Sequence, residues 1–290
     1  MSKKLNILTD TWYDAYELIR KFPRILFPLS IVAFLEGLWL ELLYFAPRPP
    51  LKEFLLPPIK RFFGEAILHY PAFLFLLPRL FGYGQILIYI FIGGILTSVA
   101  MVMAASASEN RSLRFSEAFK RVKKRIFSLI LASFLIVILL GIVTGREIAL
   151  FKMGFDFVGK GLLLKILQLL WRVTPYLNFL IAIAIQALVA FIFPYLVLEN
   201  KKFFPAVGKS FVLGGRHFKR VFLLLLLPMF CYGPLWVLKG NPAFLVKQTL
   251  YPEVIGWILG AGIAATVLVD TFVAVIVTLF FLRVRNEKSS

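Results

Sequence analysis

Three polar side chains interrupt long apolar runs in this sequence: Glu36 in SIVAFLEGLWLELLYF, Gln186 in LIAIAIQALVAFIF and Asp270 in AATVLVDTFVAVIV. A charged side chain at the centre of a bilayer costs about 3 kcal/mol on insertion scales, so an acid placed there marks a proton relay, a cation path or a buried polar contact. At 1.5 Å per helical residue, Glu36 and Asp270 lie roughly 16 and 18 Å from the same end of their runs, and Gln186 roughly 18 Å. The three therefore share one layer. Two carboxyls and an amide at that depth could exchange a proton or ligate a cation. They could equally serve as polar glue between helices, worth about 0.6 kcal/mol per contact. No Lys or Arg falls in the middle of a run to neutralise the acids, which favours carboxyls that are protonated or hydrogen-bonded. Glu41 lies nearer the far end of its run, at the interface. Glu109 and Glu199 close two other runs, where pairing with nearby Arg and Lys suits them better than substrate binding.

Other chemistry is poorly supplied. Cys231 is the single cysteine, which excludes an internal disulfide, and His69 and His217 stand in different segments with no metal-ligand spacing around them. No Ser, His or carboxylate cluster has nucleophile-and-base spacing, so the chain reads as non-enzymatic and free of cofactors. The Gly214-Gly215 pair lacks the context of a phosphate loop and reads as a bend. Trp12, Tyr13, Tyr44, Tyr83, Trp171, Tyr176, Tyr251 and Trp257 cluster near run ends, as interfacial belts do.

The elements that must position the polar layer follow from composition. Of 290 residues 60% are apolar, and several runs reach the roughly 20 residues that cross a hydrocarbon core. The fold class is all-α: a polytopic membrane protein forming one integral domain over 1–290. Six transmembrane helices are expected at about 25–45, 83–105, 126–143, 176–198, 221–238 and 254–282. Amphipathic interfacial segments are expected at about 8–22, 50–81, 112–125, 146–171 and 202–219, the second of them interfacial or re-entrant. Small residues allow close helix approach at Gly93, Gly94, Thr97, Ser98 and Ala104, and again at Gly256, Gly260 and Ala264. The first apolar run follows a polar stretch, so it is expected to be a retained helix and not a cleaved leader.

The net charge of +18 concentrates in two segments between apolar runs, ENRSLRFSEAFKRVKKR from Glu109 and ENKKFFPAVGKSFVLGGRHFKR from Glu199. Basic residues at an anionic leaflet gain about 1 kcal/mol each, and a nucleic-acid partner is disfavoured by this much aliphatic surface. Arg114, Lys120, Arg121, Lys123, Lys124, Arg125, Lys209, Arg216, Lys219 and Arg220 are the candidate contacts to anionic lipid headgroups, and a protein partner could dock on the same surface. Placing both segments and both termini on one side gathers the larger share of the 33 Lys and Arg there, which predicts cytoplasmic termini in a cell-membrane protein. A basic segment precedes the first, third and fifth runs, which suggests repeated helix hairpins.

Trp12, Ala15, Arg20, Lys21 and Pro23 ahead of the first run, with Glu109 and Glu199 leading into basic segments, resemble the six-helix membrane domains related to the membrane anchor of glycerophosphoryl diester phosphodiesterases. The resemblance implies a stand-alone six-helix membrane protein. The phosphodiesterase barrel is absent from this sequence, so no catalytic residue carries over. The expected role is a non-enzymatic, lipid-facing or accessory membrane component. The alternative is a small transporter or permease subunit using Glu36 and Asp270. A water-filled midplane cavity lined by Glu36, Gln186 and Asp270 would favour transport, a greasy groove opening sideways between helices would favour lipid handling, and dry packing would favour the accessory role.

Overall fold

A computed structural model describes the backbone of residues 2–64, 69–156, 162–240 and 242–287 and, within these, all side chains but those of 2–7, 62–63, 143–175, 236 and 240. Every regular element among the described residues is helical. In chain order these are α1 (Ser2–Lys21), a 3-10 turn (Pro23–Leu26), α2 (Phe27–Phe45), α3 (Leu51–Phe63), α4 (Ala72–Ile88), a π-helical segment (Tyr89–Gly93), α5 (Gly94–Ser108), α6 (Phe115–Lys123), α7 (Ile126–Asp156), α8 (Leu162–Val189), α9 (Ile192–Val197), α10 (Phe203–Arg216), α11 (Phe218–Gly240), α12 (Pro242–Thr249) and α13 (Val254–Glu287).

Five stretches are long and apolar enough to cross a membrane: Pro23–Phe45, Ala72–Ser108, Tyr176–Val197, Phe218–Lys239 and Val254–Glu287. A sixth candidate is the pair formed by α6 and the start of α7, bent by 83°. Such a turn is what a helix lying along the interface makes when it feeds a crossing one. Apolar surface faces outward along these helices, as lipid requires: Phe34, Phe91, Phe127, Phe230 and Leu268 are among the exposed large side chains.

The second span begins earlier than its sequence suggests. Residues 72–81, expected as part of an interfacial segment, belong to one 37-residue stretch that continues through α4 and α5. Pro78 lies inside it, and a proline inside a membrane helix is tolerated where neighbouring helices and local adjustments compensate for the lost donor. Phe73, Leu74, Leu77, Leu80 and Phe81 gain burial in return, against Leu43 of α2 and Ile255, Leu259 and Ile263 of α13. Only α3 remains of the expected 50–81 segment as a separate helix. Of the expected interfacial helix at 146–171, residues 157–161 lie outside the described residues and the rest belongs to its neighbours: α7 continues to Asp156 and α8 starts at Leu162, each longer than a bilayer crossing needs.

The interior divides into two apolar clusters. One sits toward the basic end and joins α1, α5, α6, α8, α9, α11 and the last turns of α13 through Ile25, Val99, Phe191, Ile192, Leu224 and Phe280. The other, described above, closes the opposite end with help from α3 and α12 through Leu55, Ile59 and Val246. There Tyr70 donates to Glu253 at 2.9 Å, and that bond raises the phenol above its ordinary tyrosine range.

The basic end is fastened by polar contacts. Arg283 of α13 donates to Thr11 at 2.6 Å and pairs with Asp14, while Trp12 donates to the carbonyl of Leu224 at 3.3 Å. Ala15 and Thr11 are fully buried. Helix α1 therefore packs onto the end of the bundle with its inner face. The Glu-Asn pairs at 109–110 and 199–200 end their helices with asparagine in the left-handed region, at φ 58° and 55°. The first forms a Schellman-type closure, Arg111 N–H to Ser106 C=O and Asn110 N–H to Ala107 C=O. Each asparagine also accepts a bond from a cation that precedes an apolar run: Lys21 to Asn110 at 3.0 Å and Arg125 to Asn200 at 2.9 Å.

Candidate functional site

A few polar side chains meet in a mostly apolar cavity among the spans. Following α2, Ile25 and Leu29 precede Glu36, and Leu43 and Ala46 come after it. On α13, Ile263 lies before Asp270 and Ala274 follows it. With Met101, Ile136, Val189, Phe193, Leu225, Ala274 and Val277 of the first cluster, the two acids line a chamber of about 360 Å³.

Every candidate span contributes to this chamber. Helix α2 supplies Glu36, α4 supplies Gln85, the π-helical segment supplies Tyr89, α5 supplies Thr97 and α8 supplies Gln186. Helix α13 gives Thr266 and Asp270, four residues apart and so on one face, with Val273, Ala274 and Val277 continuing it. Ile136 and Val137 of α7 and Leu225 and Met229 of α11 complete an apolar wall. The widened turn at 89–93 breaks the ordinary 3.6-residue phase ahead of α5. Such single-turn π segments recur at functional sites.

Glu36 is 8% exposed. Gln85 hydrogen-bonds its carboxyl, yet Oε2 is buried with no partner. A buried acceptor left open costs about 1 to 3 kcal/mol, so the arrangement favours any donor or cation that reaches it. Asp270 and Gln186 are half-buried and share the cavity. The polar layer anticipated from Glu36, Gln186 and Asp270 is thus brought together in one space.

Gln85 and Lys239 went unrecognised in the sequence. Gln85 was legible in principle: with the second span starting at residue 83 it falls at the interface, whereas from Ala72 it lies roughly 20 Å along the helix. The expectation that no cation approaches the acids requires correction. Lys239, near the end of α11, is half-buried, donates to Tyr232 at 2.7 Å and interacts electrostatically with Glu36. Its ammonium lies alongside Gly262, where any side chain would displace it. Tyr232 in turn feels both Glu36 and Asp270. The long lysine stem carries charge inward from a helix end, which a reading by position along the run does not register.

Among the basic candidates, Arg114, Lys120, Arg121, Lys123, Lys124, Arg216 and Lys219 are exposed at one end of the bundle. Arg125 is engaged with Asn200, Lys209 stands 5.8 Å over the Tyr195 ring, and Arg220 is half-buried. Glu109 reaches Arg111 only loosely, at 3.9 Å and in solvent. The Gly214-Gly215 pair does not bend α10. A Cβ on Gly214 would stand 2.7 to 2.9 Å from backbone atoms of Leu188 and Ala187, so that glycine serves close packing. Gly94 does the same against Ser133, whereas Gly256 and Gly260 face open space, so the expected close-packing face on α13 is not used. Among the described residues no group of His, Cys, Asp and Glu could hold a metal ion. Compared with family models, with curated proteins and with solved structures, the chain finds no match.

Proposed function

We propose that this chain is a small transporter or permease subunit whose chamber receives a small solute bearing a positive charge. Glu36 and Asp270 serve as its charged ligands, and Gln85 and Gln186 as neutral polar groups that orient it. The observation that carries this reading is a nearly buried Glu36, its Oε2 unpartnered, lining a space to which all the candidate spans contribute. A chamber of about 360 Å³ falls in the size range of small-molecule sites, mostly apolar with a few convergent polar groups. A lipid-facing accessory component needs no such chamber.

The proposal includes the membrane setting. The helices form three hairpins, each led by a basic segment, with both termini cytoplasmic in a cell membrane. The hydrogen bonds from Lys21 to Asn110 and from Arg125 to Asn200 support the hairpin reading, since each joins the start of an outgoing run to the end of a returning one. Kinship with the six-helix anchor-related group belongs to the same proposal, because Glu109 and Glu199 stand at these closures.

Uptake of radiolabelled methylammonium and of sodium into proteoliposomes tests the reading. Flux of at least one probe is expected to exceed that of empty vesicles and to vary with pH, because a carboxyl that binds a cation must give up its proton. Glu36→Gln and Asp270→Asn are expected to reduce it about tenfold or more, with Glu41→Gln unaffected. Flux equal to empty vesicles for both probes, or independent of pH, overturns the proposal.

A further inference from the structure

A second site lies at the basic end, between the entry to the first span and the segment after α5. Two contiguous hollows share Pro23, Arg24 and Met103. One, about 300 Å³, reaches Lys21, Ser112 and Leu113, and the other, about 550 Å³, reaches Phe27, Arg114 and Phe115. Lys21 holds the two walls together through Asn110 at 3.0 Å.

The chemistry of this groove is divided by depth. Arg24 and Arg114 are exposed at its mouth, and neither guanidinium has a hydrogen-bond or ion-pair partner among the described residues. Beneath them the floor is apolar: Met103 from α5, Leu26, and the Phe27 and Phe115 rings packed edge to face at 5.2 Å. Phe27 keeps 52% of its surface accessible although it opens a membrane span. Free guanidinium groups above an exposed apolar trough match a ligand with an anionic head and an acyl tail. Arginine forks suit phosphate oxygens, and a basic pocket between membrane helices is a common headgroup site.

We propose that this groove binds one anionic phospholipid, its phosphate held between Arg24 and Arg114 and an acyl chain lying along Phe27, Met103 and Phe115. The site is independent of the chamber, since no residue is common to the two. It also narrows the basic surface to one location: the free cations of α6 and α10 set a general attraction to the leaflet, whereas this groove selects.

Binding of pyrene-labelled phosphatidylglycerol to the full chain in a zwitterionic detergent, compared with pyrene-labelled phosphatidylcholine, tests it. Phosphatidylglycerol is expected to bind saturably and about tenfold or more tightly than phosphatidylcholine, and Arg24→Ala with Arg114→Ala to remove that preference. Arg24→Lys with Arg114→Lys is expected to retain part of it, which separates recognition from misfolding. Lys52→Ala with Lys247→Ala, on α3 and α12 and outside the basic segments, is expected to leave it unchanged. Equal affinity for the two lipids, an undiminished preference in the double alanine variant, or displacement of bound lipid by millimolar inorganic phosphate alone overturns the proposal, the last by showing that the tail contributes nothing.

Discussion

Lys239 alters the chemistry that Glu36 offers. An ammonium brought toward Glu36 from the end of α11 competes with any incoming cation for the same carboxyl, and Tyr232 and the bare face of Gly262 hold it there. Within the proposed function, Lys239→Met keeps the apolar stem and removes the charge. It is expected to tighten methylammonium binding several-fold, because the carboxyl no longer shares its charge with a neighbouring ammonium. Protection of Glu36 from a hydrophobic carbodiimide, read by peptide mass, measures this, and unchanged protection removes Lys239 from the site. Glu36, Gln186 and Asp270 were legible because a polar residue in a run of aliphatics has a cost that position along the run reveals. Lys239 was not, because its Cα lies near a helix end and only its side chain approaches Glu36.

Helix α10 shows how an element that reads as merely interfacial becomes structural. The chain breaks between α8 and α9, and Ser210 mends that break, accepting from the N–H of Phe191 at 3.2 Å and donating to the C=O of Leu188 at 3.0 Å. Gly214 then lets α10 lie against the same carbonyls. Two neighbouring substitutions should act with opposite sign. Gly214→Ala meets backbone that cannot move aside and is expected to cost about 1 to 3 kcal/mol. Gly215→Ala faces open space and is expected to gain up to about 1 kcal/mol of helix propensity. Thermal unfolding of the two variants in detergent distinguishes a packing role for Gly214 from the hinge that the glycine pair suggests in sequence. A hinge would make both substitutions unfavourable. The basic amphipathic pattern of α6 and α10 was plain in sequence; which glycine touches a neighbour was not, because the partner carbonyls lie some 26 residues away in the chain.

The molecule gathers its polar layer in one mostly apolar chamber inside the bundle, with most exposed basic side chains of α6 and α10 at one end. The proposed orientation puts that end in the cytoplasm. With Cys231, the sole cysteine, replaced by serine, Ser116→Cys on α6 is expected to react with an impermeant maleimide only after the membrane is opened, and Lys52→Cys on α3 to react in intact cells. The reverse pattern inverts the topology, and labelling of both positions in intact cells breaks the assignment of α6 and α3 to opposite sides.

The sequence by itself determined an all-helical membrane protein, its basic segments and the three midplane polar residues, because hydrocarbon solvation acts on local composition and a chain cannot hide charge from it. Only the tertiary structure decided that those residues line one chamber, that Gln85 joins them there while Lys239 approaches Glu36, that residues 72–81 extend the second span, and that Arg24 and Arg114 flank one groove. Each of these depends on which helices are neighbours, and neighbour choice is set by packing between segments far apart in the chain, which no local pattern records.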